Sequence, residues 1–313
     1  MSLHLIFHKN SSLQNLENMR DKMKVKDLSP LRYPGSKRKL VSYLYEIIKF
    51  NKLNPNVLIE PFVGGGNIAL HFLLNGIVDK IIIADKDKLI YSFWEVLFSN
   101  PDYLIDFIKR VKVNLNTFYK YKKIARSFEN CEKEKLAEAC IYLNRTSFSG
   151  IMTDMVGPLG GKSQKSQYKI DCRFNKKRLI EKIKYISAFS RSVIVLSFDW
   201  KDTIKYAQDW ARNKKRLNRL FFYFDPPFFN KADSLYRCYF NKEEHKQLHK
   251  EIICLNYDWV LSYDNAPEIR RLYSNDKYIM VHIEVEVPYS INSHAKRIEK
   301  ELIITPLALP RFS

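Results

Sequence analysis

Cysteine is sparse and unpatterned in this 313-residue chain. The five thiols, Cys131, Cys140, Cys172, Cys238 and Cys254, form no CxxC pair and have no histidine at metal-ligand spacing. That excludes a zinc ribbon and offers no disulfide framework, so reduced, mostly buried thiols of a cytoplasmic protein are expected, with no metal. No apolar run approaches the roughly 20 residues needed to span a bilayer, so no membrane partner is expected. The opening MSLHLIFHKNSS has no basic segment ahead of an apolar one, so it does not read as a secretory signal. No internal repeat and no low-complexity tract occurs. Neither GxGxxG nor GxxxxGK[ST] is present, which removes the common dinucleotide and phosphate loops. Acidic residues are also short: 34 Asp and Glu stand against 53 Lys and Arg, a net charge of +19. A surplus this large favours a polyanionic partner, nucleic acid first. A lysine-rich proteome accounts for part of it.

What is present centres on Leu220–Lys231, LFFYFDPPFFNK. Leu220 to Phe224 read as a buried strand of a parallel sheet, with apolar side chains on both faces. Two prolines cannot continue a central strand, so it stops at Asp225. Asp225, Pro226, Pro227 and Phe228 then stand at the carboxyl edge of the sheet, where open α/β folds bind ligands. The set suits an exocyclic amine on a heteroaromatic ring, whose lone pair is delocalised and poorly nucleophilic. The Asp225 carboxylate and a proline carbonyl accept its two N–H bonds, and Phe228 stacks on the ring. The plain alternative is a strand followed by a Pro-Pro turn capped by Asp225.

Residues 1 to about 29 are a polar extension. Arg32-Tyr33-Pro34-Gly35-Ser36-Lys37 demands a turn, and Leu40, Val41, Leu44, Ile47 and Ile48 continue at helical spacing. Lys37 can meet a ligand carboxylate, or the segment is an ordinary basic turn. Asn56–Glu60 is a short strand running into Pro61-Phe62-Val63-Gly64-Gly65-Gly66-Asn67 and a helix from Ile68, the opening of a nucleotide-binding sheet. Lys80–Ala84 is the second strand. Asp85 follows about 20 residues after the glycine turn, where such folds place an acid on ribose hydroxyls; capping the next helix is its competitor. From Tyr91 to about Leu143 the pattern is helical, with basic and aromatic residues interleaved, as on a DNA-facing surface or a solvated amphipathic face. Asn144–Gly150, NRTSFSG, precedes a polar stretch, Val156–Lys169, that contains Lys162 and reads as a loop or hairpin for groove contacts, or as a disordered loop. Ser192–Leu196 is a strand with Asp199 just past its end, again placed to accept from a nucleobase. Asn241–Leu255 is a helix and Trp259–Ser262 a strand. Tyr278–Val287 reads as an edge strand, 288–297 as a basic loop and Glu301–Thr305 as the last strand.

Six segments in order, RYPGSK at 32–37, IEPFVGGGN at 59–67, IIIADKDKLI at 81–90, NRTSFSGI at 144–151, DPPF at 225–228 and KELIITP at 300–306, resemble the Dam-type adenine-specific DNA methyltransferases, including those of restriction–modification systems. The resemblance covers roughly residues 30–307. It implies an S-adenosylmethionine cofactor contacted by Tyr33, Lys37, Phe62, Gly64, Asp85, Asp199 and Asp225. It implies catalysis by Asp225, Pro226 and Phe228 on an adenine flipped from duplex DNA, and DNA contacts from Asn144, Arg145 (near a phosphate) and Lys162. A cognate restriction endonuclease acting on the same site is the implied second partner. The family's usual DPPY is DPPF here, which keeps the stacking face. Gly35-Ser36 replaces the commoner Gly-Gly, and the recognition loop departs enough that the target sequence does not transfer.

The implied fold is α/β, a Rossmann-like seven-stranded methyltransferase sheet from residues 30–92 and 188–313. A helical target-recognition domain, 93–187, is inserted between them. Rival readings are methylation of cytosine N4, of RNA or of a glutamine side chain, which share the strand-end acid or amide and Pro-Pro-aromatic logic, and a non-catalytic DNA-binding relic. Asp225 and NRTSFSG favour adenine in DNA.

Overall fold

A computed structural model of the chain describes residues 28–32, 38–213, 219–230, 235–274, 279–283 and 301–310. Tyr33, Lys37 and the basic loop at 288–297 lie outside the described residues.

Seven strands form one sheet in the order β3-β2-β1-β4-β5-β7-β6. They are β1 Val57–Glu60, β2 Lys80–Ala84, β3 Val193–Leu196, β4 Leu220–Phe224, β5 Asp258–Asp264, β6 Ile279–Ile283 and β7 Glu301–Thr305. β3, β2, β1, β4 and β5 run parallel. β7 is antiparallel to both β5 and β6. After β1 the chain builds outward through β2 and β3, then returns to lay β4 on the other side of β1. The order of strand addition therefore reverses between the parallel β1 and β4, and a crevice opens beyond their carboxyl ends.

Side chains alternate across these strands, and both faces are covered. Leu58, Ile81, Ile83, Phe221, Tyr223 and Val260 face one core. Ile59, Ile82, Phe222, Phe224, Trp259 and Leu261 face the other. That is why β4 reads as an unbroken apolar run: one residue in two is buried on each side.

The first core holds helices α1 Arg38–Phe50, α2 Asn67–Leu74 and α3 Lys88–Ser99. It continues without a break into α4 Pro101–Arg110, α5 Leu115–Arg126, α6 Lys133–Thr146 and α7 Lys176–Ser187. The boundary expected between residues 92 and 93 thus falls inside α3, a single helix capped by Asp87 and buried through Leu89, Phe93, Trp94 and Leu97. Leu28 and Ser29 are buried too, so these two residues of the expected extension belong to the packed structure.

The second core is covered by α8 Trp200–Asn213, α9 Lys242–Ile253 and α10 Pro267–Leu272. α8 stands where the sequence predicts no element, and Trp200, Thr203, Ile204 and Ala207 form its buried stripe. The polar stretch 156–169 contains no strand: one isolated bridge pairs Ser147 with Pro158. The five cysteines are free, and only Cys140 is buried, so the expectation of mostly buried thiols fails. Among the described residues, no helix is long and apolar enough to cross a membrane, and no His, Cys, Asp or Glu cluster could hold a metal ion.

Candidate active site

The carboxyl ends of β1, β2, β3 and β4 empty into one cleft of about 300 Å³. Four strands thereby deliver four acids to its wall: Glu60, Asp85, Asp199 and Asp225. Phe62 and Gly64–Gly66 line it as well.

The glycine turn is built from close contacts. Gly64 and Gly66 take left-handed backbone angles, φ 42° and 63°. Trp94, from α3, donates its indole N–H to the Gly64 carbonyl at 3.0 Å. The Gly64 N–H in turn donates to Asp85 Oδ2 at 3.0 Å, and the Asp87 N–H to Asp85 Oδ1 at 2.9 Å. Glu60 is buried, and its Oε2 accepts the Ala69 N–H at 2.9 Å, capping the first turn of α2 from outside.

Burial pushes the Glu60 carboxyl well up, and the Asp225 and Asp85 charges push further, against the Ala69 hydrogen bond. Burial, then the charge of Asp87, raises Asp85 to about 7. Its folded value exceeds the unfolded one, so the native state holds an extra proton in the window between them. Stability from this group is fully present at low pH and is lost as pH rises towards 7. Two of the cleft's acids, Glu60 and Asp85, thus resist ionising, a bias that a cation placed beside them would offset.

Asp225 sits just past β4 and is held from the neighbouring strand. Ser262 of β5, fully buried, donates to Asp225 Oδ1 at 2.9 Å, and its Oγ lies 2.9 Å from the Tyr223 hydroxyl. Asp264, at the end of β5, accepts the N–H groups of Phe229 and Asn230 at 2.7 and 3.2 Å. That fixes the loop leaving the two prolines. Pro226 is buried, and Phe228 is only 7% exposed, its ring edge-on to Tyr236 at 5.8 Å. Pro227 and Tyr236, not Pro226 or Phe228, line the cleft directly. Asp199 does two jobs: it lines the cleft, and it caps α8 by accepting from the Asp202 N–H at 3.0 Å.

A strand-end carboxylate followed by Pro-Pro-Phe thus stands beside a glycine turn closed by a second acid. A model of the D12 class N6 adenine-specific DNA methyltransferases matches residues 33–291. The chain belongs to that family. A protein named Type II methyltransferase M.MjaIII, from Methanocaldococcus jannaschii, is 24% identical over 221 residues, 65% of this chain and 71% of that protein. A DNA adenine methylase of Haemophilus influenzae is 26% identical over 194 residues, 59% of this chain and 62% of that protein. The substrate class is therefore DNA, and a methyl donor is required.

In this D12 methyltransferase the side chains of Asn144 and Arg145, expected at DNA, are turned to the protein's own backbone. Asn144 is 0% exposed and cannot reach a groove. Its Oδ1 accepts the Arg32 N–H at 2.6 Å, and its Nδ2 donates to the carbonyls of Arg32 at 2.5 Å and Gly150 at 3.1 Å. Arg145 is partly buried and donates to the Pro30 carbonyl. Lys182, buried in α7, donates to the Ser29 carbonyl at 2.7 Å. Gly150 has φ 76°, and a Cβ there would lie 2.6 Å from the Arg32 carbonyl oxygen. Three side chains of the helical insert thus grip the backbone of residues 29–32. Lys162 is exposed and lies away from the cleft. Its loop folds onto α5 and α6: Lys122 donates to the Val156 carbonyl at 2.7 Å, Arg126 pairs with Asp154 at 2.9 Å, and the Phe148 N–H donates to the Gly157 carbonyl at 3.1 Å.

Two expected results follow. Asn144→Ala leaves the part-buried Arg32 N–H and carbonyl without this partner, at a cost of up to about 1–3 kcal/mol for each, the value for a fully buried group. Urea unfolding should show it, and an unchanged midpoint would refute the clamp. Ser262→Ala removes a charge-assisted bond worth about 1.5–3 kcal/mol, so single-turnover methylation should slow roughly 10- to 100-fold as the Asp225 carboxylate loses its orientation. A rate within twofold of wild type would mean that Asp225 is held by other means.

Proposed function

We propose that the chain takes the methyl group from S-adenosylmethionine and places it on N6 of an adenine flipped out of duplex DNA. The observation that carries this is the convergence of Asp225, Asp85 and the Gly64–Gly66 turn on one cleft. When bound there, the cofactor supplies an electrophilic methyl on a cationic sulfonium. The acid-lined, glycine-floored cleft fits such a group in volume and in charge sign. Asp85, with Asp199 nearby, would accept from ribose or adenine groups, and Phe62 would flank the adenine. By resemblance Tyr33 and Lys37, outside the described residues, would contact the cofactor too.

Asp225 would accept one N–H of the target amine and a proline carbonyl, Pro226 by resemblance, the other. The nitrogen lone pair is then drawn out of conjugation and aimed at the methyl. Phe228 and Tyr236 would hold the base ring. Positioning and electrostatics supply the rate, and no covalent bond to the enzyme is needed.

The helices within 93–187 would form the target-recognition part, with 30–92 and 188–313 catalytic and 1–29 an extension. Lys162, with the exposed Phe148, Met155 and Tyr168, would make the DNA-facing surface. Arg145 would serve it indirectly, by anchoring residue 30. A restriction–modification role, with a nuclease cutting the same site in the cytoplasm, is supported by the type II relative's name.

Mapping methylated adenines by sequencing DNA from cells expressing the chain tests this reading. One recurrent methylated motif is expected. Modified cytosines, or no modification, would overturn it. A pH profile tests the assignment of Asp85. The ionised form is the better acceptor, so affinity for sinefungin, an unreactive analogue of the cofactor, should strengthen as pH rises through about 7. Asp85→Asn should flatten the profile, and a profile with unchanged slope would remove Asp85 from the cofactor.

A further inference from the structure

One wall of the cleft is the short segment that follows the Pro-Pro turn. Tyr236, Cys238, Tyr239 and Phe240 all line the cavity. Phe240 packs edge-on against Phe62 of the glycine turn at 5.7 Å, and Tyr236 against Phe228 at 5.8 Å. The residue among them that does not line it is Arg237.

Arg237 reaches to three other parts of the molecule. Its Nε lies 3.2 Å from Asp87 Oδ2 and 3.4 Å from Oδ1. Its Nη2 donates to the Ala125 carbonyl at 2.9 Å, near the end of α5. The guanidinium carbon stands 5.7 Å from the centre of the Phe128 ring, in the turn after α5. The two ion-pair side chains are only 16% and 11% exposed. Asp87 is itself bonded to Asp85, and it caps α3, which carries Trp94 to the Gly64 carbonyl. One planar cation therefore joins the cleft wall, the Asp85 turn and the helical insert. A lysine has three donors on one compact ammonium and lacks the planar fork that meets a carboxylate, a carbonyl and a ring face together.

We propose that Arg237 is a positioning residue that couples the methyl-donor cleft to the DNA-facing insert. DNA held on the insert fixes α5 and Phe128, and through Arg237 the wall carrying Tyr236 and Phe240. Donor and DNA then each bind more tightly when the other is present, by the same factor in both directions. This rests on the reading above, that the cleft takes the donor and the insert faces DNA. The rival role for Arg237 is a structural ion pair that merely stabilises the fold.

The coupling factor separates the two roles. Sinefungin affinity of the full chain is measured by calorimetry, alone and with a saturating duplex carrying the motif mapped by sequencing. For wild type the duplex should tighten sinefungin binding by about 5-fold or more, the lower range of ordinary allosteric couplings. In Arg237→Met the ratio should fall to within about twofold of one, and in Arg237→Lys and Phe128→Ala to intermediate values. A structural pair would lower both affinities, or the melting temperature, and leave the ratio at its wild-type value. That result overturns the proposal, as does a wild-type ratio of one. Should Arg237→Met not fold, Arg237→Lys and Phe128→Ala decide by the same ratio. If wild type binds no sinefungin, or no motif is found, the functional reading itself fails and this inference falls with it.

Discussion

Asp225→Ala should abolish methyl transfer while leaving a folded protein that still binds DNA. Asp225 stands beyond the last buried residue of β4 and is only partly buried, so little packing is lost. Its Ser262 partner keeps the Tyr223 hydroxyl at 2.9 Å. What disappears is the acceptor proposed for the amine, and removing one such preorganised contact typically costs about 3–4 kcal/mol, a factor of hundreds in rate. Phe228→Ala should behave differently. Its ring is buried against Tyr236, so truncation loosens the base, worth about 1–3 kcal/mol of stacking, and also costs stability. Phe228→Tyr should stay active, since the face of the ring is unchanged. Single-turnover methylation of the three variants on one target makes the comparison. A near-wild-type rate for Asp225→Ala would reduce the motif to a turn.

Gly66→Ala should be the most damaging change in the glycine turn. Its φ of +63° is left-handed, and an added Cβ would lie 2.7 Å from Cζ2 of Trp94, a ring buried in the core. The backbone cost is about 1–2 kcal/mol and the overpacking about 1–3, so a loss of roughly 2–5 kcal/mol is expected. If Trp94 yields instead, its bond to the Gly64 carbonyl is lost and donor affinity drops. Gly76→Ala is the control: φ is +66°, yet nothing lies within 4 Å of its Cβ. It should lose the backbone portion alone. Equal losses in the two variants would show that contact with Trp94 contributes nothing.

Much of this protein is local in origin, and that much was legible in the sequence. Lys80–Ala84, Leu220–Phe224 and Glu301–Thr305 are strands with the bounds their composition suggests, because a run buried on both faces of the sheet must be apolar on both and stops at the Asp or Pro that follows. The acids that follow the strands, Asp85, Asp199 and Asp225, meet in one cleft for the same reason: parallel strands deliver their carboxyl ends to one edge. The sequence could not reveal partners distant along the chain. The resemblance implied a DNA contact for Asn144, and nothing in the local sequence spoke against it, because an exposed and a buried amide are written alike. Only the packing of α6 against the backbone of Arg32, 112 residues away, consumes its hydrogen bonds. Ser262, Asp264 and Arg237 carry no motif. Each acquires its role from a neighbour 35 or more residues away, across a strand pair or an insert boundary. A side chain's chemistry is written in its own residue, but whether water, DNA or the protein's own backbone takes up its hydrogen bonds is set by what the fold brings beside it.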